Sequence, residues 1–250
     1  MGKIVAIGGG EIGRPGYPVE TTEIDEEIIR LSGKSAPKFL FIPTATSDSE
    51  LYCDTVRKYF GRRLGCEVDV LYLLENRPAK KELEEKVLSS DIVYVGGGDT
   101  LKMMIAWRKH GVDKILERAY GRDIVLSGLS AGAICWFRYG SSDSRRFTKP
   151  SADLIKVRGL NFINALYCPH YNSEQDRKAH LNTFMKKTPG IAVAVDDCCA
   201  VEFLDDEYRV ITSKSNANAY KVCWRKGEFH EEIIEKKKEF SPIKRLLTKL

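Results

Sequence analysis

Along the first 140 positions, apolar residues fall in short dense runs separated by stretches of helical spacing. Residues 4–7 (Ile-Val-Ala-Ile), 38–42 (Lys-Phe-Leu-Phe-Ile) and 91–95 (Asp-Ile-Val-Tyr-Val) have the near-continuous apolar pattern of strands buried on both faces. Over 67–73, Val68, Val70 and Tyr72 alternate with Asp69 and Leu71, which predicts a further strand. Between these runs, Thr22 can cap a helix that turns Ile24, Ile28, Ile29 and Leu31 inward and ends at Gly33. Ser47 and Asp48 can start a second helix to about Leu64, and 79–89 reads as a third. A fourth carries Leu101, Met104, Ile105 and Trp107, with Met103, Met104 and Trp107 as a core stripe. Residues 124–126 form one more apolar run. Strands alternating with helices predict an α/β fold, a doubly wound and mostly parallel sheet with helices on both faces. Ligands bind beyond the carboxyl ends of the strands in such a sheet.

The second half is more irregular. Residues 139–157 are polar, with Ser141, Ser142, Asp143, Ser144, Arg145 and Arg146, and read as a long loop or lid. Residues 162–168 read as a strand that leads into Pro169-His170-Tyr171-Asn172 and a helix from Ser173 to about Lys186. A strand at 191–195 turns through 196–200 into 201–204, and 208–211 with 219–224 has the look of a hairpin. No repeat or low-complexity linker divides the chain, so one domain over 1–250 is expected, with a charged tail from about 226.

Composition narrows the classes. With 250 residues, 43% of them hydrophobic and 30% charged, the chain has the makeup of an ordinary globular domain able to bury a large core. Most of the +5 net charge lies in residues 221–250, where nine Lys or Arg face five Asp or Glu. Without interleaved aromatics this tail predicts a solvated helical end, and no nucleic-acid partner is expected. Seven cysteines with no C-x-x-C spacing do not form a disulfide framework or a zinc cage, which favours a reducing cytoplasm. The first residues lack the layout of a signal peptide, and Ala6 departs from the myristoylation pattern. No apolar run reaches the length of a membrane span, so no membrane partner is expected.

Three glycine-rich turns follow predicted strands. Residues 8–13, Gly-Gly-Gly-Glu-Ile-Gly, match a dinucleotide fingerprint in form. Pro15, Gly16 and Pro18 occupy the place where that fingerprint needs a helix, so a loop bordering a site is the better reading. Gly96-Gly97-Gly98-Asp99-Thr100 is the second turn, and its unshielded N–H groups allow close approach of a ligand. The third lies within DIVLSGLSAGAICW, residues 123–136, where Gly128-Leu129-Ser130-Ala131-Gly132 joins a strand to a helix-compatible run. A serine on such an elbow has its hydroxyl pushed outward, as a nucleophile requires. Its oxyanion would lie between the N–H groups of Ala131 and Gly98. Of four histidines, His110, His180 and His230 lie in helices or the tail, whereas His170 follows a strand and can serve as the base. Asp197 is the leading carboxylate to orient it, on the same sheet edge. Asp196 reads as a turn residue, and Asp143 is the competing carboxylate.

GGGDT after one strand, GLSAGA after the next and PHY after a third resemble the peptidase E family of serine peptidases, which includes aspartyl dipeptidases and cyanophycinase. The resemblance runs from the opening IGGG to about Trp224. It implies a fold similar to class I glutamine amidotransferase domains and a three-layer flavodoxin-like sandwich. It also implies Ser130 as nucleophile, His170 as histidine and Gly98 as the oxyanion glycine. Asp197 falls where the family's dipeptidase has a Glu, and Asp143 falls near an acidic residue sometimes assigned to the same relay. Arg177 answers to an arginine that holds the substrate's aspartate in the aspartyl dipeptidases. The loop after His170 is shorter here, and a surface or helix-capping role for Arg177 stays open. No long insert is present to grip an Asp-Arg polymer. The expectation is a serine peptidase acting on small peptides without a cofactor, with a homodimer left open. An esterase or other acyl hydrolase with the same groups, or a noncatalytic small-ligand-binding protein on the same scaffold, are the alternatives.

Overall fold

The computed structural model describes residues 2–76 and 78–248, so the last two residues of the tail lie outside it. Strands β1 (Lys3–Ile7), β2 (Lys38–Ile42), β3 (Glu67–Val70), β4 (Ile92–Val95) and β5 (Val125–Leu129) run parallel in the order β1-β5-β4-β2-β3. Two further strands, β10 (Cys199–Leu204) and β11 (Glu207–Thr212), extend this sheet antiparallel beyond β1, and the two-residue β14 (Ser241–Pro242) closes its edge.

A second sheet departs from the single sheet expected. It contains β6 (Phe137–Ser142), β7 (Ile155–Arg158), β8 (Ile163–Cys168), β9 (Ile191–Val195), β12 (Ala219–Arg225) and β13 (Glu228–Ile233), in the order β13-β12-β9-β8-β6-β7. Within residues 139–157 the two ends, 139–142 and 155–157, are built into strands, and the loop between them carries one short helical turn at Ser144–Phe147. Gly140 permits this, because a Cβ there would lie 2.2 Å from Ile134. The supposed hairpin also resolves differently. β11 pairs with β10, β12 pairs with β9 and β13, and the two belong to different sheets. The charged tail is not a solvated helix. Lys226 (φ 52°) and Gly227 (φ 85°) make a two-residue turn between β12 and β13, the left-handed pair that tight hairpins require. Trp224 then pairs with Phe229 across the ladder.

The layers follow from what each face buries. α1 (Thr22–Leu31) and α2 (Glu50–Val56), which continues in wider turns over Arg57–Arg63, cover one face of the first sheet through Ile24, Ile28, Val56 and Phe60. α3 (Lys80–Leu88), α4 (Thr100–His110) and α5 (Val112–Tyr120) cover part of the other face, with Met103, Met104 and Trp107 in the core. The second sheet covers the rest of that face, so Ile4 and Ala6 share one cluster with Tyr167, Val193 and Val195. α7 (Arg177–Lys186) packs on the outer face of the second sheet through Leu181 and Met185. It starts later than expected, since 173–176 are turns. α8 (Ile243–Leu247) follows β14 and buries Leu246. No helix among the described residues is long and apolar enough to cross a membrane.

Asp25 on α1 is fully buried among apolar neighbours and accepts a hydrogen bond from Thr21 Oγ1 at 2.7 Å. Burial pushes its carboxyl up to about 7, against the hydrogen bonds of Thr21 and Tyr59, which favour the charged form. The unfolded chain ionises this group near 4, so between roughly pH 4 and 7 the folded state holds a proton that the unfolded state has lost, and stability falls as pH rises. The contribution is on the order of 4 kcal/mol at most. Asp25→Asn should therefore gain in unfolding free energy relative to the parent as pH rises from 4 to 7 and hold that gain above 7. Urea denaturation at several pH values measures it, and a pH-independent difference would contradict the burial argument.

Candidate active site

The turns after β1, β4 and β5 open at the carboxyl edge of the first sheet, and those after β8 and β9 meet them from the second. β5 ends at Leu129, and Ser130 follows with φ 53° and ψ −109°. This left-handed conformation is strained for a residue with a Cβ and is the mark of an elbow. The elbow needs glycine on both sides. A Cβ on Gly128 would lie 2.4 Å from the carbonyl oxygen of Gly132, and one on Gly132 would lie 2.0 Å from that of Val95. Ser130 N–H donates to Ile7 O at 3.1 Å, and Ala133 and Ile134 donate to Ser130 O at 2.9 Å each. The helix that follows, α6 (Ala131–Ile134), is a single turn, shorter than the sequence suggests, because the chain re-enters a strand at Phe137.

His170 also has a left-handed backbone, at φ 53°, a region that histidine tolerates better than most residues. Its N–H donates to Gly8 O, and the following Tyr171 N–H donates to Val195 O, each at 3.2 Å. Held in this way, its imidazole reaches two groups. Nε2 lies 2.8 Å from Ser130 Oγ, and Nδ1 lies 2.7 Å from Asp197 Oδ1. Ser130 comes from the first sheet, His170 and Asp197 from the second. His170 and Asp197 share one sheet edge, as expected, after the adjacent parallel strands β8 and β9, but Ser130 does not share it and meets them only because the sheets dock face to face. Asp197 is fixed by its own N–H, which donates to Asn172 Oδ1 at 3.0 Å. Burial alone would raise its carboxyl, but the hydrogen bond and charge of His170, aided by the Ser173 hydroxyl and the Arg177 charge, hold it below the usual carboxylate range. Asp196 is the turn residue, accepting the Asn218 N–H at 2.9 Å.

Asp143 follows β6 and lines the cleft with Ser130, but the Nδ1 edge of His170 is taken by Asp197. His110, His180 and His230 lie away from the cleft. Gly98, at φ 131°, lines the cleft, and a Cβ there would lie 2.5 Å from Ala45 O. Ala131 begins α6 directly after Ser130. No oxygen of the described residues accepts the N–H of Gly98 or Ala131, so both remain as donors. Arg177 is not a substrate arginine in this geometry. Its side chain is 1% exposed, its Nε and Nη2 donate to Glu174 at 2.9 and 3.1 Å, and its Nη1 donates to Ser141 O at 2.8 Å. The turns at 173–176 aim it inward, where its charge acts on Asp197.

Residues that sequence reasoning passed over complete the cleft of about 480 Å³: Glu11, Ile12, Arg14, Ser49, Tyr52 and Phe147 among them. Gly9 was visible only as part of a glycine run. A Cβ on it would lie 1.8 Å from Asp197 Oδ1 and 2.4 Å from His170 Nδ1, so the opening IGGG is shaped to the His–Asp pair. Among the described residues, no group of three or more His, Cys, Asp or Glu converges to hold a metal ion.

Comparison with known proteins shows the family and the fold. The family model described as Peptidase family S51 matches residues 4–211. An uncharacterized peptidase of Bacillus subtilis (strain 168), YgaJ, is 34% identical over 235 residues, covering 92% of this chain and 96% of that protein. An uncharacterized peptidase of Listeria monocytogenes serovar 1/2a, Lmo0363, is 27% identical over 57% of this chain and 68% of its own length. Among solved structures, a peptidase from an acI-B1 actinobacterium superposes with a TM-score of 0.72 at 20% identity, covering 96% of each chain. A Listeria monocytogenes EGD-e protein provisionally assigned to peptidase E gives 0.62 at 19% identity, over 85% of this chain and 98% of its own. At these identities the superpositions speak for the fold.

Gly9→Ala should separate His170 from Asp197 while costing about 1–3 kcal/mol of stability. The proton held between an imidazole and a carboxylate gives a low-field proton NMR signal. That signal should be present in the parent and lost in the variant, and its persistence would show that the loop yields without disturbing the pair.

Proposed function

The chain belongs to peptidase family S51 and is a peptidase hydrolase, and from that premise we propose that it is a serine peptidase of small peptides built on Ser130, His170 and Asp197. The observation that carries this reading is the unbroken hydrogen-bonded chain from Ser130 Oγ through the imidazole to Asp197, with legs of 2.8 and 2.7 Å. A serine hydroxyl is a weak nucleophile until a base takes its proton. Nε2 of His170 is within reach to do so as Oγ attacks the scissile carbonyl. Asp197, kept ionised by its depressed carboxyl, orients Nδ1–H and stabilises the imidazolium that forms. The N–H groups of Gly98 and Ala131 stabilise the oxyanion of the tetrahedral intermediate. His170 then returns the proton to the leaving amine, and water repeats the sequence on the acyl enzyme.

The size of the cleft supports peptides of a few residues over folded chains. The seven free, buried cysteines are in keeping with a cytoplasmic enzyme.

A fluorophosphonate probe should label the parent at Ser130, and Ser130→Ala should lose both labelling and dipeptide hydrolysis. Asp197→Ala should lower kcat by on the order of 10⁴, and Asp143→Ala should cost at least about tenfold less. Hydrolysis surviving in Ser130→Ala would refute the nucleophile, and a reversed order of the two aspartate variants would move the orienting role to Asp143.

A further inference from the structure

Among the described residues that line the cleft, Arg14 is the only one with a permanent positive charge. Its setting is ordered. The loop after β1 is closed by the Ile12–Val19 bridge and by Glu20 N–H donating to Glu11 O at 2.7 Å. Within it, Glu11 Oε1 accepts the N–H groups of Gly13 and Arg14 at 3.2 and 2.9 Å, and its Oε2 accepts Arg14 Nε at 2.6 Å. The guanidinium also lies 5.0 Å from the centre of the Tyr17 ring. Glu11 therefore fixes the Nε edge. The two Nη groups have no hydrogen-bond partner among the described residues, on a side chain that is 61% exposed. That free pair is the edge a carboxylate takes bidentately. Arg177, by contrast, has its donors committed to Glu174 and Ser141.

Position decides which carboxylate. Gly9 packs on the Nδ1 edge of His170 and Gly10 opens into the cleft, so the Arg14 loop enters from the histidine's side. The Gly98 turn comes instead from the end of β4. In the reaction proposed above, the histidine hands its proton to the departing amine, so the leaving residue lies on the imidazole's side. In a short peptide that residue bears the chain's terminal carboxylate. We propose that Arg14, held by Glu11, binds the C-terminal carboxylate of a peptide whose last residue is the leaving group, making the enzyme selective for substrates cut one residue from a free C-terminus. This rests on the Ser130–His170 reading for its direction but not for the existence of the carboxylate site.

Binding to the full-length Ser130→Ala protein tests it without turnover, using calorimetry with Ala-Leu, Ala-Leu amide and Asp-Leu amide. Ala-Leu should bind at least about tenfold tighter than its amide. Adding Arg14→Ala should abolish that preference, and Arg14→Lys should restore part of it. Equal binding of acid and amide, no detectable binding of the acid at millimolar concentration, or a preference that survives Arg14→Ala would overturn the proposal. An Arg14-dependent preference for Asp-Leu amide would also overturn it, assigning the guanidinium to an acidic side chain on the acyl residue. Fluorophosphonate labelling of the parent reports the nucleophile separately, so a failed label with an intact acid preference would condemn the catalytic reading and leave the Arg14 site standing.

Discussion

The structure turns on how closely the second sheet can approach the end of β1. Gly8 O accepts the His170 N–H, Gly9 O accepts the Cys198 N–H at 2.9 Å, and Tyr167 Oη donates to Ala6 O at 3.1 Å. The first two join backbone to backbone and the third joins a side chain to backbone, and this approach needs glycine because a Cβ on Gly8 would lie 2.3 Å from Asp196 O. The same approach that seals Ile4, Ala6, Val193 and Val195 into one core brings the β8 and β9 turns over the β5 elbow. Core packing and assembly of the site are thus one event, and neither can be loosened at 8–10 without the other.

Beneath the site lies a charge arrangement around the buried Arg177 that serves geometry more than stability. Arg177 pairs with Glu174 and ties the turn after His170 to β6 through Ser141 O. An ion pair with a buried guanidinium and a half-buried carboxylate offsets its own desolvation and little more. What it supplies is a fixed turn at 171–176, from which Asn172 holds the Asp197 backbone, and a positive charge that favours the ionised form of Asp197. The residue that the family resemblance sets against the substrate is buried here one layer further in, with its donors on Glu174 and Ser141.

The parallel half of the fold could be read directly, because its strands are continuous apolar runs and its helices carry the 3.6-residue stripe. Ser130, His170 and Asp197 could be read too, since each follows an apolar run at a turn. In the second sheet β8, β9 and β12 could be read as strands, but β6, β7 and β13, and with them the sheet itself, could not. Its β6 and β7 are short and half polar, as in Arg138, Ser141, Lys156 and Arg158, so they have the composition of loops, and only pairing across the sheet makes them strands. The tail misled for a related reason. Its charges suggested a solvated helix, whereas the Lys226-Gly227 turn was the stronger local signal. Nothing in a one-dimensional pattern says that the donors of Arg177 are already used while the Nη groups of Arg14 are not.

Two of the three groups in the hydrogen-bonded chain sit on strained backbone, Ser130 and His170 both at φ 53°. Each such conformation costs about 1–3 kcal/mol and persists only where its surroundings over-determine it. For Ser130 the surroundings are the first sheet, through Ile7 O and the α6 turn. For His170 they are Gly8 O, and behind that the second sheet through Val195 O. Ser130 is thus held within its own sheet, whereas the bond that fixes His170 crosses between the two. The strain that exposes the hydroxyl is therefore sustained by one sheet and the strain that aims the imidazole by the docking of two, so the hydrogen bond between Ser130 Oγ and His170 Nε2 forms only where the sheets meet.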